Sequence, residues 1–290
     1  MAAGQLILRV AARVAKAGTA KSHGCNNQEF GSDPGNRTIP TQGRSMTKLS
    51  EANVEIFGDP DSLARRVAEW ILELALAKRG PFTVALSGGT TPQRLYQTLA
   101  GASLREQFPW SRVHWFWGDE RFVPHKDALS NYRMACEALL AVAPVPAGNI
   151  HPVPTWETTP DAAAMAYERE LMSCYGAGHL DPDRPLFDLV LLGLGTDGHT
   201  ASLFPGSEVL NEKVRWVAAV VGAKPEARIT LTYPALESCR QAAFLIAGRD
   251  KQAALSQIRR GQEELPAARL NTTGALRIFA DAAAVDVADT

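Results

Sequence analysis

Residues 187–205 read FDLVLLGLGTDGHTASLFP, an apolar run that leads into a glycine-rich loop. The run from Phe187 to Leu192 has the length of one buried strand. In parallel α/β sheets, ligands bind just past the carboxyl ends of the strands, so this loop is expected to face a cleft. Asp197 and His199 lie two residues apart in the loop, and a neutral histidine is a ready general base near pH 7. The segment predicts a parallel α/β fold with His199 and Asp197 as candidate catalytic residues.

The same loop matches GxGxxG, the dinucleotide-binding fingerprint, from Gly193 to Gly198. That fingerprint requires a long helix to open at the third glycine, so that a pyrophosphate sits on the helix N-terminus. Here Pro205 and Gly206 follow within eight residues, which disfavours such a helix. The sequence therefore argues against a nicotinamide or flavin site.

The composition is typical of a globular protein with one large core or two small ones. The chain has 290 residues, of which 46% are hydrophobic and 21% charged, and its net charge is −1. So small a charge gives no general attraction to nucleic acid or to an anionic membrane surface, and no apolar run approaches the ~20 residues of a membrane span. We expect a small-molecule ligand, held by a local basic cluster if it is anionic, in a monomer or small homo-oligomer.

The cysteines and histidines do not indicate a metal site. The four cysteines lie far apart with no CxxC pair, which is typical of reduced thiols in the cytoplasm. No HExxH occurs, and the six histidines show no spacing expected of metal ligands. We therefore expect no metal ion.

The N-terminal segment differs from the rest of the chain. Residues 1–27 contain no acid but carry four basic residues, and residues 22–45 are polar, as in disordered segments. The segment has the look of an organellar transit peptide, and an upstream start codon with Met46 as the true start is the alternative. Residues 1–48 are thus predicted to be an extension, and residues 49–290 a single α/β domain.

Helix and strand patterns alternate along that domain, which predicts a mostly parallel sheet with helices on both faces. One helical pattern begins at Asp59, and four further helical patterns cover 93–99, 131–142, 161–175 and 250–259. The strand patterns cover 82–86, 113–117, 150–153, 187–192, 214–221, 228–232, 243–247 and 276–279.

A second loop lies between a predicted strand and a predicted helix. Its glycines and hydroxyl groups at a helix N-terminus make a ready anion site, although no Walker A lysine follows. The simpler interpretation is a tight turn in which Thr91 caps the helix. The candidate phosphate-binding residues here are Ser87, Gly88, Gly89, Thr90 and Thr91.

Charged residues follow another predicted strand in the segment 118–121, Gly-Asp-Glu-Arg. Charges at a strand's carboxyl end usually mark a site or its rim, and an internally paired surface turn is the alternative. Asp119 and Arg121 are the candidates from this segment. Lys224 and Arg228 could each reach a phosphate, although either alone would be an ordinary surface cation.

Together these segments resemble the 6-phosphogluconolactonase family, in the glucosamine-6-phosphate isomerase/6-phosphogluconolactonase superfamily. The resemblance rests on 87–92, 118–121 and 195–205, with support from 131–133 and 228–232, in an order and spacing that fit from about Ser50 to Phe279. It implies a Rossmann-like sheet shared with sugar-phosphate isomerases and deaminases. It also implies hydrolysis of 6-phospho-D-glucono-1,5-lactone in the pentose phosphate pathway, without metal or organic cofactor.

The residues agree with that chemistry, since lactone hydrolysis needs an activated water and stabilisation of charge on the carbonyl oxygen. His199 would take the proton of the water, and Asp197 would orient the imidazole or a sugar hydroxyl. Asp119 and Arg121 would flank the sugar, while the loop 87–91 and Lys224 hold the phosphate.

Two other functions stay open at this point. The first is a glucosamine-6-phosphate deaminase, a kind of enzyme that the chain also resembles. Those enzymes carry a glutamate five residues after the loop histidine, where this sequence has Phe204. A sugar-phosphate-binding regulator without activity would keep the anion loop but has no need of His199, and no DNA-binding module is evident.

Overall fold

The computed structural model describes residues 47–286, whose centre is a six-stranded, wholly parallel sheet. The strands are β1 Thr47–Lys48, β2 Asn53–Phe57, β3 Phe82–Leu86, β4 Val113–Trp117, β5 Asp119–Arg121, β6 Phe187–Leu192, β7 Val217–Val220, β8 Arg228–Leu231, β9 Cys239–Ile246, β10 Asn271–Thr272 and β11 Ala275–Asp281. The α-helices are α1 Pro60–Ala77, α2 Thr90–Leu99, α3 Ala102–Arg105, α4 Asn131–Ala135, α5 Pro160–Tyr175, α6 Tyr233–Glu237 and α7 Gln252–Arg259.

The central sheet has the strand order β2-β11-β9-β6-β3-β4, and each neighbouring pair is parallel. All six residues of β6 are buried, because this central strand is covered on both faces. The α/β fold with a mostly parallel sheet is therefore confirmed. The carboxyl ends of four adjacent strands, β9, β6, β3 and β4, meet at one edge of the sheet.

A small antiparallel sheet, β5-β8-β7, lies beside this edge and was not expected from the sequence. The segment 118–121 was interpreted as a loop or site rim, but Asp119–Arg121 forms a strand that pairs with β8. Gly118 connects the sheets, because its N–H donates to Leu86 O at 2.8 Å and its carbonyl accepts from Leu231 N at 2.8 Å.

Other local differences have simple causes. Of the predicted strand 150–153, only Ile150 makes a bridge, to Trp115. The helix predicted over 131–142 is α-helical only to Ala135 and then widens into a π-helix over Cys136–Leu140. The edge strand β2 escaped prediction, since none of its five residues is fully buried and its hydrophobic signal is weak.

The first two described residues belong to the predicted extension. Thr47 and Lys48 pair with Thr272 and Asn271, so these two residues are part of the folded body. Residues 1–46, which hold most of the predicted extension, lie outside the described residues. Within 47–286, no helix is both long and apolar enough to cross a membrane.

Two buried tyrosines fix the carboxyl ends of β3 and β4. The Tyr96 hydroxyl accepts a hydrogen bond from Ser87 N at 2.9 Å and donates to Ser87 O at 2.8 Å. The Tyr167 hydroxyl does the same for Trp117, at 2.7 and 3.0 Å. Each hydroxyl thus satisfies a backbone N–H and C=O where a strand stops and a loop begins.

Removing the first of these hydroxyls should lower stability and activity together. Tyr96→Phe leaves the buried N–H and C=O of Ser87 unpaired, at a cost of about 1–3 kcal/mol in the free energy of unfolding. Urea denaturation measures that cost, and kcat/KM measures the effect of the less rigid loop on activity. Tyr175→Phe is the control, because its hydroxyl contacts the backbone of Arg184 and Asp181 at an exposed position where water can replace it. Equal, small effects in both variants would contradict the assigned role.

Candidate active site

A cavity of about 360 Å³ opens at the carboxyl ends of the parallel strands. The loop after β3, strand β5, the loop after β6 and the segment after β9 all contribute to its wall, as expected for a ligand site in a parallel sheet. Eight of the eleven predicted site residues line it, namely Ser87, Gly88, Gly89, Asp119, Arg121, His199, Lys224 and Arg228.

The remaining three predicted residues lie at or behind the rim. Thr90 and Thr91 form the first turn of α2 and are not among the lining residues. Asp197 is also outside the wall but contacts His199, which is in it.

His199 and Asp197 form a hydrogen-bonded pair. Asp197 Oδ1 lies 2.5 Å from His199 Nδ1 and also accepts a bond from His199 N at 3.2 Å. A carboxylate beside Nδ1 favours the tautomer with the proton on that nitrogen, which leaves Nε2 to accept another proton. The pair therefore has the arrangement of a general base and its orienting group.

The charge of Asp197 is stabilised where it lies. Partial burial opposes its ionisation, but the hydrogen bonds from His199 and the charges of His199 and Lys224 outweigh it, so the pKa of Asp197 is below its ordinary value. Lys224 Nζ is 3.8 Å from Asp197 Oδ2 and 5.1 Å from the centre of the Phe204 ring. Asp197 is thus an anion at neutral pH and able to stabilise a charged imidazole.

Gly195 makes room for this pair. A Cβ at this position would lie 2.0 Å from His199 Nδ1 and 2.6 Å from Asp197 Oδ1. The loop is closed by Gly195 N donating to His199 O at 2.8 Å and by Thr200 Oγ1 donating to Gly193 O at 2.9 Å. The glycines of the GxGxxG match therefore belong to a tight loop, and no α-helix opens at the third glycine.

The three charged side chains of strand β5 point to alternate faces of the strand. Successive side chains of a strand point to opposite faces, so Asp119 and Arg121 face the cavity while Glu120 points away and is fully buried. Ser202 Oγ donates to Asp119 Oδ2 at 2.7 Å, which links β5 to the histidine loop.

The Glu120 carboxylate supports the site from behind. It accepts hydrogen bonds from the backbone N–H groups of Arg121, Asn131 and Tyr132 at 2.7–2.8 Å and from Ser130 Oγ at 3.1 Å. Burial raises the pKa of Glu120 to about 7, against the effect of these donors. The residue is a structural support that holds β5 against the start of α4.

Two arginines stand side by side in the cavity wall. Arg121 on β5 is directly opposite Arg228 on β8. Burial and then the charge of Arg121 lower the pKa of Arg228. Arg228 Nη2 is 3.5 Å from Glu226, but its Nε and Nη1 are buried without a hydrogen-bond partner. Like charges opposite each other are unfavourable unless an anion joins them, so this pair marks an anion subsite.

The loop after β3 presents its backbone to the same cavity. The N-cap residue of α2 is Gly89, whose φ is +104°, and no side chain caps the helix, so the alternative of a Thr91 cap is wrong. A Cβ on Gly88 would lie 2.0 Å from Asn131 Oδ1, and Asn131 Nδ2 donates to Asp119 O at 2.9 Å. The uncapped helix start is thus held beside β5, with its N–H groups available to an anion.

The residues of the wall that sequence reasoning did not assign to the site include Asn131, Ser202, Phe204 and Lys251. Asn131 and Ser202 lay inside motifs that were recognised, but their roles depend on Asp119, which is distant in sequence. Lys251 follows the carboxyl end of β9 after Gly248, which is the kind of position that a search of every strand end would have found.

The fold and the cavity are those of an α/β protein with a histidine–aspartate pair and two arginines in one cavity wall, and comparisons with known proteins identify its family. The family model for glucosamine-6-phosphate isomerases/6-phosphogluconolactonase matches residues 58–278. The chain therefore belongs to this family.

Three of the similar proteins are named as 6-phosphogluconolactonases. A 6-phosphogluconolactonase of Synechocystis is 46% identical over 187 residues, which are 63% of this chain and 74% of the relative. A chloroplastic 6-phosphogluconolactonase of Arabidopsis thaliana is 32% identical over 82% of this chain and 75% of its own length. The match to the crystal structure of the Thermotoga maritima 6-phosphogluconolactonase includes 79% of this chain and 99% of that chain. Its TM-score is 0.67, and the two sequences are 32% identical.

A methyl group at Gly195 should disable the catalytic pair with little change elsewhere. Gly195→Ala displaces His199 or Asp197, and a shift of about 1 Å in a catalytic group costs roughly 10²-fold in rate. The matched control is Gly193→Ala in the same loop, where the nearest atom to an added Cβ is Ser87 Oγ at 3.8 Å. Steady-state kinetics of the two variants test this, and equal activities would contradict the role given to Gly195.

Proposed function

We propose that this protein hydrolyses 6-phospho-D-glucono-1,5-lactone to 6-phospho-D-gluconate, the lactone hydrolysis of the pentose phosphate pathway. The observation that carries the proposal is the presence of the His199–Asp197 pair and the Arg121–Arg228 pair in the wall of one cavity, with Asp197 directly behind His199. A base that activates water and a subsite for a phosphate are the two requirements of this reaction.

The reaction begins with a water held by His199 Nε2. This nitrogen takes a proton as the water oxygen bonds to the lactone carbonyl carbon, and Asp197 stabilises the imidazolium that forms. The tetrahedral intermediate then collapses, the bond between the carbonyl carbon and the ring oxygen breaks, and the imidazolium returns its proton to that oxygen. The carboxylic acid that forms releases the second proton of the water to solvent, which gives 6-phospho-D-gluconate without any redox step.

The phosphate of the substrate lies against the arginine pair. Arg228 offers two unpartnered donors, and Arg121 and Lys251 add positive charge to the same wall. The loop before the uncapped start of α2 contributes the backbone N–H groups of Gly88 and Gly89, since Ser87 N already donates to the Tyr96 hydroxyl. Lys224 lies next to Asp197, so its charge acts on the catalytic side of the cavity as well as on the substrate.

Phe204 favours hydrolysis over deamination. Its ring is buried and lies 4.8 Å from the His199 ring, at the position where a deaminase carries a glutamate. An apolar ring cannot transfer the additional protons that ring opening and deamination require. A non-catalytic regulator would not need the oriented His199–Asp197 pair.

The oligomeric state and the compartment also belong to the proposal. We propose that the protein is a monomer or small homo-oligomer. We also propose that it is located in the cytoplasm, with an organelle as the alternative. The basic, acid-free residues 1–27 and the chloroplastic relative support the alternative.

Replacing the proposed base should reduce turnover and spare binding. His199→Ala is expected to lower kcat by about 10²–10⁴-fold, because that is the contribution of a positioned general base. The affinity for 6-phosphogluconate, measured by calorimetry, should change little, since His199 contacts the water and not the phosphate. The assay subtracts the spontaneous hydrolysis of the lactone and contains a chelator, because no metal takes part.

His199→Asn is the second variant, since it keeps a hydrogen-bonding group but cannot accept the proton at neutral pH. A kcat within a few-fold of the wild-type value would remove His199 from the chemistry and direct attention to Asp119. An equal loss of product affinity would assign the loop a binding role instead.

The phosphate should account for much of the specificity. Each charge-assisted contact contributes roughly 1.5–3 kcal/mol, or about 10- to 150-fold in kcat/KM, so unphosphorylated gluconolactone should be a far poorer substrate. Arg228→Ala should lower kcat/KM for the phosphorylated lactone and leave that for the unphosphorylated one nearly unchanged. Arg66→Ala is the control, because Arg66 pairs with Glu73 on helix α1, outside the cavity. Equal kcat/KM values for the two lactones in the wild type would show that the anion subsite is wrongly assigned.

The N-terminal extension should be dispensable up to the first strand. Deletion of residues 1–45 is expected to leave kcat and Tm nearly unchanged, because their composition cannot build a core. Deletion of residues 1–50 is the contrasting truncation, since it removes β1 and the fully buried Leu49 and should cost about 2–5 kcal/mol. A cooperative loss of stability in the shorter truncation would mean that the extension docks on the body.

A further inference from the structure

We propose that His151, Glu170 and Cys174 form a zinc site, separate from the catalytic cavity, that joins helix α5 to the segment between the π-helix and α5. His151 Nδ1, Glu170 Oε1 and Cys174 Sγ lie within 4.8 Å of one another. None of the three residues lines the catalytic cavity. The site was invisible in the sequence, because no two of its ligands have the spacing of a known zinc motif and the fold alone brings His151 to α5.

The triangle of ligand atoms has the dimensions that a tetrahedral zinc ion requires. The observed separations are 2.8 Å from nitrogen to oxygen, 3.8 Å from sulfur to nitrogen and 3.7 Å from sulfur to oxygen. Zinc–nitrogen and zinc–oxygen bonds of about 2.0–2.1 Å and zinc–sulfur bonds of about 2.3 Å predict separations of roughly 3.3, 3.6 and 3.6 Å. Shifts of about half an ångström or less would therefore seat the ion.

Helix geometry places two of the ligands together. Glu170 and Cys174 are four residues apart on α5 and so share one face, one turn from each other. The Glu170 side chain is 48% exposed, whereas that of His151 is 8% exposed. An ion can therefore enter from solvent on the helix side and meet a nearly immobile imidazole, with water as the fourth ligand.

The imidazole of His151 is held in position by its surroundings. Its ring stacks on Phe116 at 4.3 Å with an angle of 7° between the planes. His151 Nε2 lies 3.0 Å from His114 Nδ1, within hydrogen-bond distance. A metal ion on Nδ1 places the ring proton of His151 on Nε2, which donates it to His114. This is the outer contact that zinc-bound histidines usually make.

The ligand types select the metal. One thiolate, one imidazole and one carboxylate suit Zn²⁺, whereas Mg²⁺ and Ca²⁺ take oxygen ligands only. Binding releases the Cys174 thiol proton to solvent. Because the ion would bind the folded state, in which the fold brings His151 against α5, it should raise Tm, while kcat in the separate cavity stays the same.

The test is metal binding by the full chain carrying Cys25→Ser, which removes the thiol that lies outside the described residues. Titration of the metal-free protein with Co²⁺ should give a thiolate-to-metal charge-transfer band at one equivalent, and Zn²⁺ should displace the cobalt. Cys174→Ala should abolish the band. Glu170→Gln and His114→Ala should each weaken zinc affinity by at least about 10-fold, the lower end of what loss of an outer contact costs.

His199→Ala, the control for the other histidine–carboxylate pair, should retain the band and the zinc affinity. Both helix variants change partly exposed side chains, and thermal unfolding checks that they fold. The proposal is overturned if the parent gives no thiolate band, or if Cys174→Ala and Glu170→Gln bind zinc as the parent does. A direct His151–Glu170 hydrogen bond would then be the whole role of the cluster.

Discussion

The buried carboxylate of Glu120 is the contact on which the geometry of the cavity depends. Its four donors come from β5 itself and from Ser130, Asn131 and Tyr132 at the start of α4. Because side chains alternate along a strand, fixing Glu120 inward fixes Asp119 and Arg121 outward, toward the substrate. The same contact holds Asn131 against Gly88, so one carboxylate sets the relation between the anion loop and the charged strand. A residue that never touches the substrate therefore orients three that line the cavity.

The two arginines of the cavity form an electrostatically unfavourable pair. Arg121 and Arg228 face each other across β5 and β8, and two donors of Arg228 are buried without partners. Such an arrangement costs stability in the free protein and favours any ligand that brings a doubly charged anion. The opposite holds at His199, where Asp197 and Lys224 already balance the charges. The cavity thus separates an end with unpaired donors from an end with balanced charges, which fits the proposed substrate, whose phosphate is remote from its reacting carbonyl.

Much of this could be predicted from the sequence because the signals are local. Five of the six central strands are buried runs ended by glycine or polar loops, and the sites at their carboxyl ends follow from the rule for parallel sheets. The partners that complete those sites could not be predicted. Ser202 reaches Asp119 across 83 positions of sequence, and strand β5 exists only because β8 pairs with it. The His151 cluster was missed for the same reason, since its defining contacts are made by the fold, whereas the edge strand β2 was missed because its hydrophobic signal is weak.

Phe204 shows how a single position can separate two chemistries on one fold. The ring contacts the His199 imidazole at 4.8 Å and lies 5.1 Å from the Lys224 ammonium. A carboxylate there would sit between a general base and a cation, where it would compete with Asp197 for both and offer a second group for proton transfer. The aromatic ring instead excludes water from one side of the imidazole and leaves Asp197 as its carboxylate partner. Water activation needs one base with one orienting acid, and the apolar ring at Phe204 confines the site to that task.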